Sequence, residues 1–303
     1  MNQPGAERVE DTYEVYALRY AGLDGGMSSD WYYRYEAYGL PDEPCPMANY
    51  FWLARSKSRT VLVDCGAARE PGLSRAMEMG SGPAELLARL GVRPEDVDHV
   101  VLTHMHFDHI GNVSLFPNAT FTMAQAELDF WTGPGRRLSS VGAPVEEGEV
   151  EAVLSLAREE RLHVVEQAAE LFPGIRVERV GGHTPGQLIA EIGTASGKTV
   201  VASDALHFYK EMERNHLYRH FTSVEEMDNV YRLLREHAAR PDTAVVAGHD
   251  PAVMALFRPV AEDCFDVSQR PVAPGRYGPD SLAAVELAGL PGQLDMREQG
   301  ETS

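Results

Sequence analysis

Short apolar runs rich in Val, Ile, Thr, Tyr and Phe recur along the chain. Each is closed off by Gly, Pro, Asn or Asp, the pattern of a strand between turns. They cover residues 12–21 (TYEVYALRYA), 49–56 (NYFWLARS), 59–66 (RTVLVDCG), 99–103 (HVVLT), 119–124 (ATFTMA), 175–180 (IRVERV), 188–192 (LIAEI), 198–204 (KTVVASD) and 243–250 (TAVVAGHD). Helical patterns lie between some of them. In SGPAELLARLGV, Pro83 stands near a helix start and Gly91 at its stop. Residues 224–239 (VEEMDNVYRLLREHAA) carry apolar side chains at helical spacing behind Ser223, a suitable N-cap. Strand runs first, then helices between later strands, predict a sheet sandwich with helices packed on its outer faces.

Two stretches fit this scheme less well. Residues 133–165 have a Gly/Pro-rich entry and then a charged helix, which reads either as a lid over a site or as a solvated insertion. From residue 266 onward the chain is Pro/Gly-rich and ends polar. It reads as a loosely packed tail, 266–303, behind a single domain, 1–265, with DSLAAVELAGL as a short helix able to dock.

Charge narrows the partners. The 46 acidic residues against 27 basic ones give a formal net charge of −19, which repels phosphate backbones and argues against nucleic acid as a partner. The absence of any apolar run of about 18 residues argues against a membrane span. Three widely spaced cysteines, Cys45, Cys65 and Cys264, together with an opening stretch unlike a signal peptide, suggest a reducing cytoplasm and no disulfide framework.

The chemistry lies where the strand runs end. HVVLT is followed by His104, His106, Asp108 and His109; VGGHTPGQ holds His183; KTVVASD closes on Asp204; and TAVVAGHD holds His249. Ligand-type side chains arriving from several strand ends at one edge can be aimed at a common point. His104 and His106, two apart on extended chain, face the same way, and the following turn can aim Asp108 and His109 at a second position. A lone histidine such as His249 is more often a surface or hydrogen-bonded residue than a ligand. The spaced cluster H-x-H-x-D-H is different, because Asp108 and Asp204 beside imidazoles are costly to bury unless a divalent cation offsets their charge.

THMHFDHIGN, with VDCG before it and GGHTPGQ, ASDA and AGHD after it in that order, resembles the metallo-β-lactamase superfamily over residues 12–255. The resemblance implies an αβ/βα four-layer sandwich, with two mixed sheets and helices on the outer faces. It implies two divalent metal ions, zinc by default, with manganese, cobalt or iron suited to the same donors. His104, His106 and His183 are expected to hold the first ion, and Asp108, His109 and His249 the second, with Asp204 bridging the two. Asp64 is expected to support the site from behind.

Departures separate the chain from several branches of that superfamily. Asp204 stands where β-lactamases of the commonest zinc class have Cys, and Met105 stands where flavodiiron members have Glu. Neither a basic inserted domain nor a basic C-terminal region is present. NYFWLARSKSRTVLVDCG, HFDHIGNVSLFPNATFTMAQAEL and SDALHFYKEME resemble the N-acyl homoserine lactone lactonase branch. That branch implies hydrolytic opening of a lactone by a water activated between the ions, with Asp108 shuttling the proton and a homodimer as the usual assembly. Where the branch places a substrate-contacting tyrosine, this chain has His207, with Tyr209 two residues on. His207 is expected to contact the oxyanion, or else to pack at the rim of the site. Gln187 stands where many relatives have a second His.

Other small esters, amides or phosphotriesters are the alternative substrates, and a redox di-iron protein is a remote one. The aromatic stretch 21–51, with Trp31, Tyr32, Tyr33 and Tyr35, reads as a pocket wall, a subunit contact or core packing. Phe107 is expected to line the pocket, and Phe208 is a weaker candidate.

Overall fold

The computed structural model describes residues 11–137, 144–269 and 271. Among them the strands are β1 (Glu14–Leu23), β2 (Met47–Arg55), β3 (Thr60–Val63), β4 (Glu78–Met79), β5 (His99–Val101), β6 (Thr120–Ala124), β7 (Leu162–Val165), β8 (Ala168–Phe172), β9 (Ile175–Arg179), β10 (Leu188–Thr194), β11 (Gly197–Ser203), β12 (Thr243–Ala247), β13 (Arg258–Ala261) and β14 (Cys264–Asp266). The α-helices are α1 (Ser28–Trp31), α2 (Arg69–Ser74), α3 (Pro83–Arg89), α4 (Phe107–Ile110), α5 (Gln125–Thr132), α6 (Glu147–Arg158), α7 (Tyr209–Arg214), α8 (Val224–Ala239) and α9 (Ala252–Leu256).

One sheet runs β13-β14-β1-β2-β3-β5-β6-β7, with β4 against β1, and the other runs β12-β11-β10-β9-β8. Both are mixed: β3, β5, β6 and β7 pair in parallel, as do β11 and β12, while the remaining pairs are antiparallel. Strand β2 shows how the layers form. Ala48, Tyr50, Trp52 and Ala54 join a core shared with Val177, Ala190 and Val245 of the second sheet. Phe51 and Leu53, on the opposite face, join a second core with Leu86 and Leu87 of α3, Trp131 of α5 and Val150, Val153 and Leu156 of α6. A strand covered on both sides reads as a continuous apolar run, which is why 49–56 is so plain in the sequence.

On the far side of the second sheet, Met227, Val230, Tyr231 and Leu234 of α8 close the first core. That helix begins where its N-cap directs: Ser223 Oγ accepts from Glu226 N at 3.2 Å, a contact worth about 1 kcal/mol. The result is the expected four-layer sandwich, helix–sheet–sheet–helix.

Three differences from the sequence reading have physical causes. The runs 59–66, 198–204 and 243–250 leave their sheets at Val63, Ser203 and Ala247, earlier than predicted. Asp64 (φ 61°) and Ser203 (φ 47°) take the left-handed conformation, which breaks the ladder and re-aims the chain. The charged helix in 133–165 is α6, a structural layer seated by an apolar stripe, though 138–143 lie outside the described residues. The boundary expected after residue 265 falls inside β14, and Val267 just beyond it is fully buried. The suggested docking helix in the tail lies outside the described residues. No helix among the described residues is long and apolar enough to cross a membrane.

Candidate metal centre

Parallel pairing places the C-terminal ends of β3 and β5 on one edge of the first sheet, and those of β11 and β12 on one edge of the second. The segments that leave these ends, with the 181–187 loop between β9 and β10, carry all seven ligand candidates. Close contact between the loops is built into the sequence. A Cβ at Gly248 would come within 2.5 Å of the Ser203 carbonyl oxygen, so only glycine lets His249 approach Asp204 this closely.

Two groups of side chains result. His104, His106, His183 and Asp204 each offer one ligand atom, all within 4.8 Å of one another, and Asp108, His109 and His249 do the same. Asp204 spans both groups. Its Oδ1 lies 2.9 Å from His249 Nε2 and 3.1 Å from His109 Nε2, while its Oδ2 lies 3.4 Å from His183 Nε2 and 3.6 Å from His104 Nε2. One carboxylate with an oxygen facing each group is the arrangement expected of a bridging residue.

The remaining imidazole nitrogens are tied down from behind. His109 Nδ1 donates to Asp64 Oδ2 at 2.8 Å and His183 Nδ1 to the His220 carbonyl at 2.8 Å, because those oxygens can only accept. His249 Nδ1 lies 3.2 Å from the Ala48 carbonyl and 3.2 Å from Asn49 Nδ2. Each of these rings turns Nε2 toward the centre, and at His109 and His183 the acceptor behind Nδ1 sets the tautomer a metal needs. Asp64, fully buried, also accepts from Thr103 N and Thr103 Oγ1, both at 2.8 Å, and from Ser203 Oγ at 2.9 Å. It supports the site without entering it, as expected.

The residues present fit divalent cations. His104 Nε2 and His109 Nε2 are buried and have no hydrogen-bond partner, a condition that ordinarily costs 1–3 kcal/mol per group and that a coordinate bond removes. For the first group electrostatics points the same way. Burial, reinforced by neighbouring imidazoles, pushes His104, His106 and His183 well below the usual histidine range, which keeps them neutral and able to bind metal. At His109 of the second group, by contrast, Asp204, Asp108 and Asp64 outweigh burial and raise the imidazole well above the usual histidine range, an anionic surround that favours a cation there. Burial alone would raise Asp204, yet the surrounding His109, His249, His207 and His104 hold it well below the ordinary carboxylate range.

His207 lies beside the centre, with Nε2 3.1 Å from Asp204 Oδ2 and the ring 4.7 Å from that of His183. Burial opposes its charge, but Asp204 and then Glu211 outweigh it and push the imidazole up to about 9. Glu211 Oε1 stands 3.5 Å from His207 Nδ1, and neither ring nitrogen has a partner in hydrogen-bond geometry. The ring of Tyr218 stacks on it at 3.4 Å between centroids and 13° between planes.

Several supporting residues escaped the sequence reading. Asn49 Nδ2 donates to Asp108 Oδ2 at 3.3 Å, and Tyr20 OH donates to the Asp108 carbonyl at 2.7 Å. Nothing local marks Tyr20, Asn49 or Tyr218, because each comes from a remote element. Glu127 did carry a signal, as the one charge inside the FTMAQAEL run.

Tyr32, Tyr35, Phe208 and Tyr218 form one buried aromatic cluster, so the 21–51 stretch reaches the wall of the site through Tyr218. Phe107, by contrast, packs into the outer core beneath the Arg75 guanidinium, 4.2 Å from its ring centroid. Tyr209 OH turns away and donates to the Val245 carbonyl at 3.0 Å. Gln187 is buried, donating from Nε2 to the Leu188 carbonyl.

Known proteins resemble the chain along most of this length. An N-acyl homoserine lactonase of Bacillus sp is 27% identical over 225 residues, covering 69% of this chain and 84% of that one. The N-acyl homoserine lactonase AttM of Agrobacterium fabrum is 26% identical over 193 residues, 61% of this chain and 70% of its own. Among solved structures, a quorum-quenching N-acyl homoserine lactone lactonase superposes with a TM-score of 0.67 at 19% identity, over 83% of this chain and 98% of that one. AidC, described as a dizinc quorum-quenching lactonase, superposes with a TM-score of 0.61 at 18% identity, over 80% and 89%. The family model for the metallo-beta-lactamase superfamily matches residues 46–249, more than half of the chain, and with its fold and its sequence motifs the chain belongs to that superfamily.

Proposed function

We propose that this protein is a binuclear metal-dependent hydrolase that opens lactone rings, with N-acyl homoserine lactones as its substrate class. The observation that carries the reading is the placement of Asp204 between two ligand groups, in a chain whose curated relatives are lactonases. His104, His106 and His183 would hold one ion, Asp108, His109 and His249 the other, and Asp204 both. Bound there, divalent ions supply Lewis acidity and a water whose pKa falls to about 7. Zinc suits this imidazole–carboxylate set; manganese, cobalt or iron would use the same donors.

The chain's own groups divide the remaining work. Asp108 has the more accessible side chain of the two ligand carboxylates, 13% exposed against 5% for Asp204. Asn49 and Tyr20 fix its direction. It takes the proton of the attacking water and returns it to the ring oxygen as the carbon–oxygen bond breaks, leaving a hydroxy acid. His207 donates to the carbonyl oxygen as negative charge develops there. The compartment that suits Cys45, Cys65 and Cys264, all free and buried, is a reducing one such as the cytoplasm.

The test is proton release by metal-analysed protein, on acyl homoserine lactones from short to long, γ-butyrolactone, an aryl ester and an aryl phosphotriester. Acidification with the acyl lactones at two ions per chain is expected. Two bound ions with turnover only of the aryl ester or phosphotriester would overturn the substrate class and keep the metal centre.

A further inference from the structure

Glu127 is fully buried, belongs to α5 and is absent from the ligand set, yet its carboxylate touches both loops that supply the first group. Its Oε1 accepts from Met105 N at 2.9 Å and from Trp131 Nε1 at 2.6 Å, and its Oε2 accepts from Gly186 N at 2.9 Å. Met105 separates His104 from His106, and Gly186 follows His183 by three residues. The first pair of ligands and the third come from different sheets, and the two oxygens of one side chain join their backbones.

The chemistry suits a carboxylate and little else. All three partners are N–H donors, so an acceptor is needed at both oxygens. The contact is also close: a Cβ at Gly186 would come within 2.3 Å of both N and Cβ of Glu127, so the 183–187 loop rests directly on the start of α5. Glu127 has no contact of this kind with the second group among the described residues; there the Asn49 amide lies between Asp108 and His249, and Asp64 holds His109.

We infer that Glu127 is a positioning residue for the first metal site: its carboxylate clamps the His104–His106 turn to the His183 loop and so sets the spacing of the three imidazoles. The inference rests on the ligand assignment proposed above, and it is specific to one of the two sites.

Cobalt(II) tests it, because its visible bands report coordination geometry independently of turnover. Full-length wild type, E127Q and W131F are loaded with cobalt and titrated with a chelator. E127Q keeps the volume but turns an N–H₂ toward one of the backbone donors. One of its two ions is expected to bind roughly 10–100-fold more weakly, with altered visible bands, and the other to bind as in wild type. W131F removes the indole N–H contact, keeps an aromatic ring against His106 and leaves both backbone contacts of Glu127 in place, and is expected to lose stability yet keep wild-type affinity and spectrum. E127D, which keeps the charge but falls one methylene short, is the second variant should E127Q fail to fold, and the same selective loss is expected.

A Glu127 variant that holds both ions with wild-type affinity and spectrum overturns the clamp. So does a W131F variant that reproduces the effect, since that would reduce Glu127 to core packing. Wild-type protein that takes up no cobalt would remove the ligand assignment itself, whereas two ions in wild type and two equally tight ions in E127Q would remove the clamp alone.

Discussion

Strand β5 carries a buried histidine at each end of the segment it belongs to, and the two have opposite fates. His99 opens the strand. Its Nδ1 lies 2.7 Å from Thr120 Oγ1 and its Nε2 3.0 Å from Thr122 Oγ1, so both nitrogens are satisfied by the neighbouring strand β6. His104, just past the other end, is held at Nδ1 by Thr103 Oγ1 at 3.1 Å, while its Nε2 has no partner. Its neighbours there are other imidazoles, with ring centroids 4.2 Å away for His109 and 4.5 Å for His106. Burial lowers the pKa of both, so neither burial nor titration separates them. The free nitrogen does. At His99 both nitrogens are used by the fold; at His104 one is left bare among other imidazoles, the condition a metal would relieve.

Substituting each in turn breaks the comparison most forcefully. H104A should cost one of the two ions and lower lactone turnover by roughly 10³–10⁴-fold, since a Lewis acid contributes several kcal/mol to the barrier. H99A should keep both ions and wild-type turnover while losing about 1–3 kcal/mol of stability through the orphaned threonines. Metal analysis beside urea unfolding reads both, and equal metal contents in the two variants would erase the distinction. H207A is expected to fall between them. It should retain two ions and lose roughly 10²–10³-fold in kcat, the usual effect of removing one donor to a developing oxyanion. Loss of an ion from H207A would instead make His207 a ligand.

The same contrast explains what could be read from the chain alone. Strands covered on both faces, such as β2, and the capped helix α8 announce themselves locally, because their periodicity is set by the layers they bury against. The ligand candidates were legible because H-x-H-x-D-H packs four of them into six positions, and because the others stand where β-rich runs stop. The supports were not. Asn49 reaches His249 across 200 positions, and Ser203 reaches Asp64 across 139. Such contacts depend on tertiary register, which no local pattern encodes. Strand β8 was missed for a related reason: it lies at the edge of its sheet, has no fully buried residue and so lacks the apolar run of a central strand. Phe107 has a neighbour that no local pattern announces, the Arg75 guanidinium over its ring.

Acid probes the structural histidine of the pair more gently. Burial, with the charges of His163 and Arg59, pushes His99 from 6.5 down to about 4. The unfolded chain therefore binds a proton that the folded chain refuses between those values. Stability is full above pH 6.5 and falls as the pH drops toward 4, by about 2–3 kcal/mol for this group. H99Q, which keeps a donor and an acceptor toward the threonines, should flatten that part of the stability profile by the equivalent of one proton. Urea unfolding from pH 7 to pH 4 measures it, and an unchanged slope would mean that His99 is already protonated in the fold.

The smallest effect concerns the wall of the site. Tyr218 stacks on His207, and its segment is bonded to the aromatic loop: Tyr33 N donates to the Leu217 carbonyl at 2.7 Å, and Arg219 N to the Trp31 carbonyl at 2.7 Å. A stacked pair is worth about 0.5–1.5 kcal/mol beyond its buried area, so Y218L should lower kcat/KM by roughly 2–10-fold. How that loss is distributed carries the information. If Tyr218 only steadies the His207 ring, short and long acyl lactones lose equally, because the reacting carbonyl is common to all of them. If the cluster of Tyr32, Tyr35, Phe208 and Tyr218 also walls the acyl chain, the loss grows with chain length and appears in KM. Uniform loss in kcat would therefore assign the wall to the catalytic floor it leans on, and length-dependent loss in KM would assign it to substrate choice.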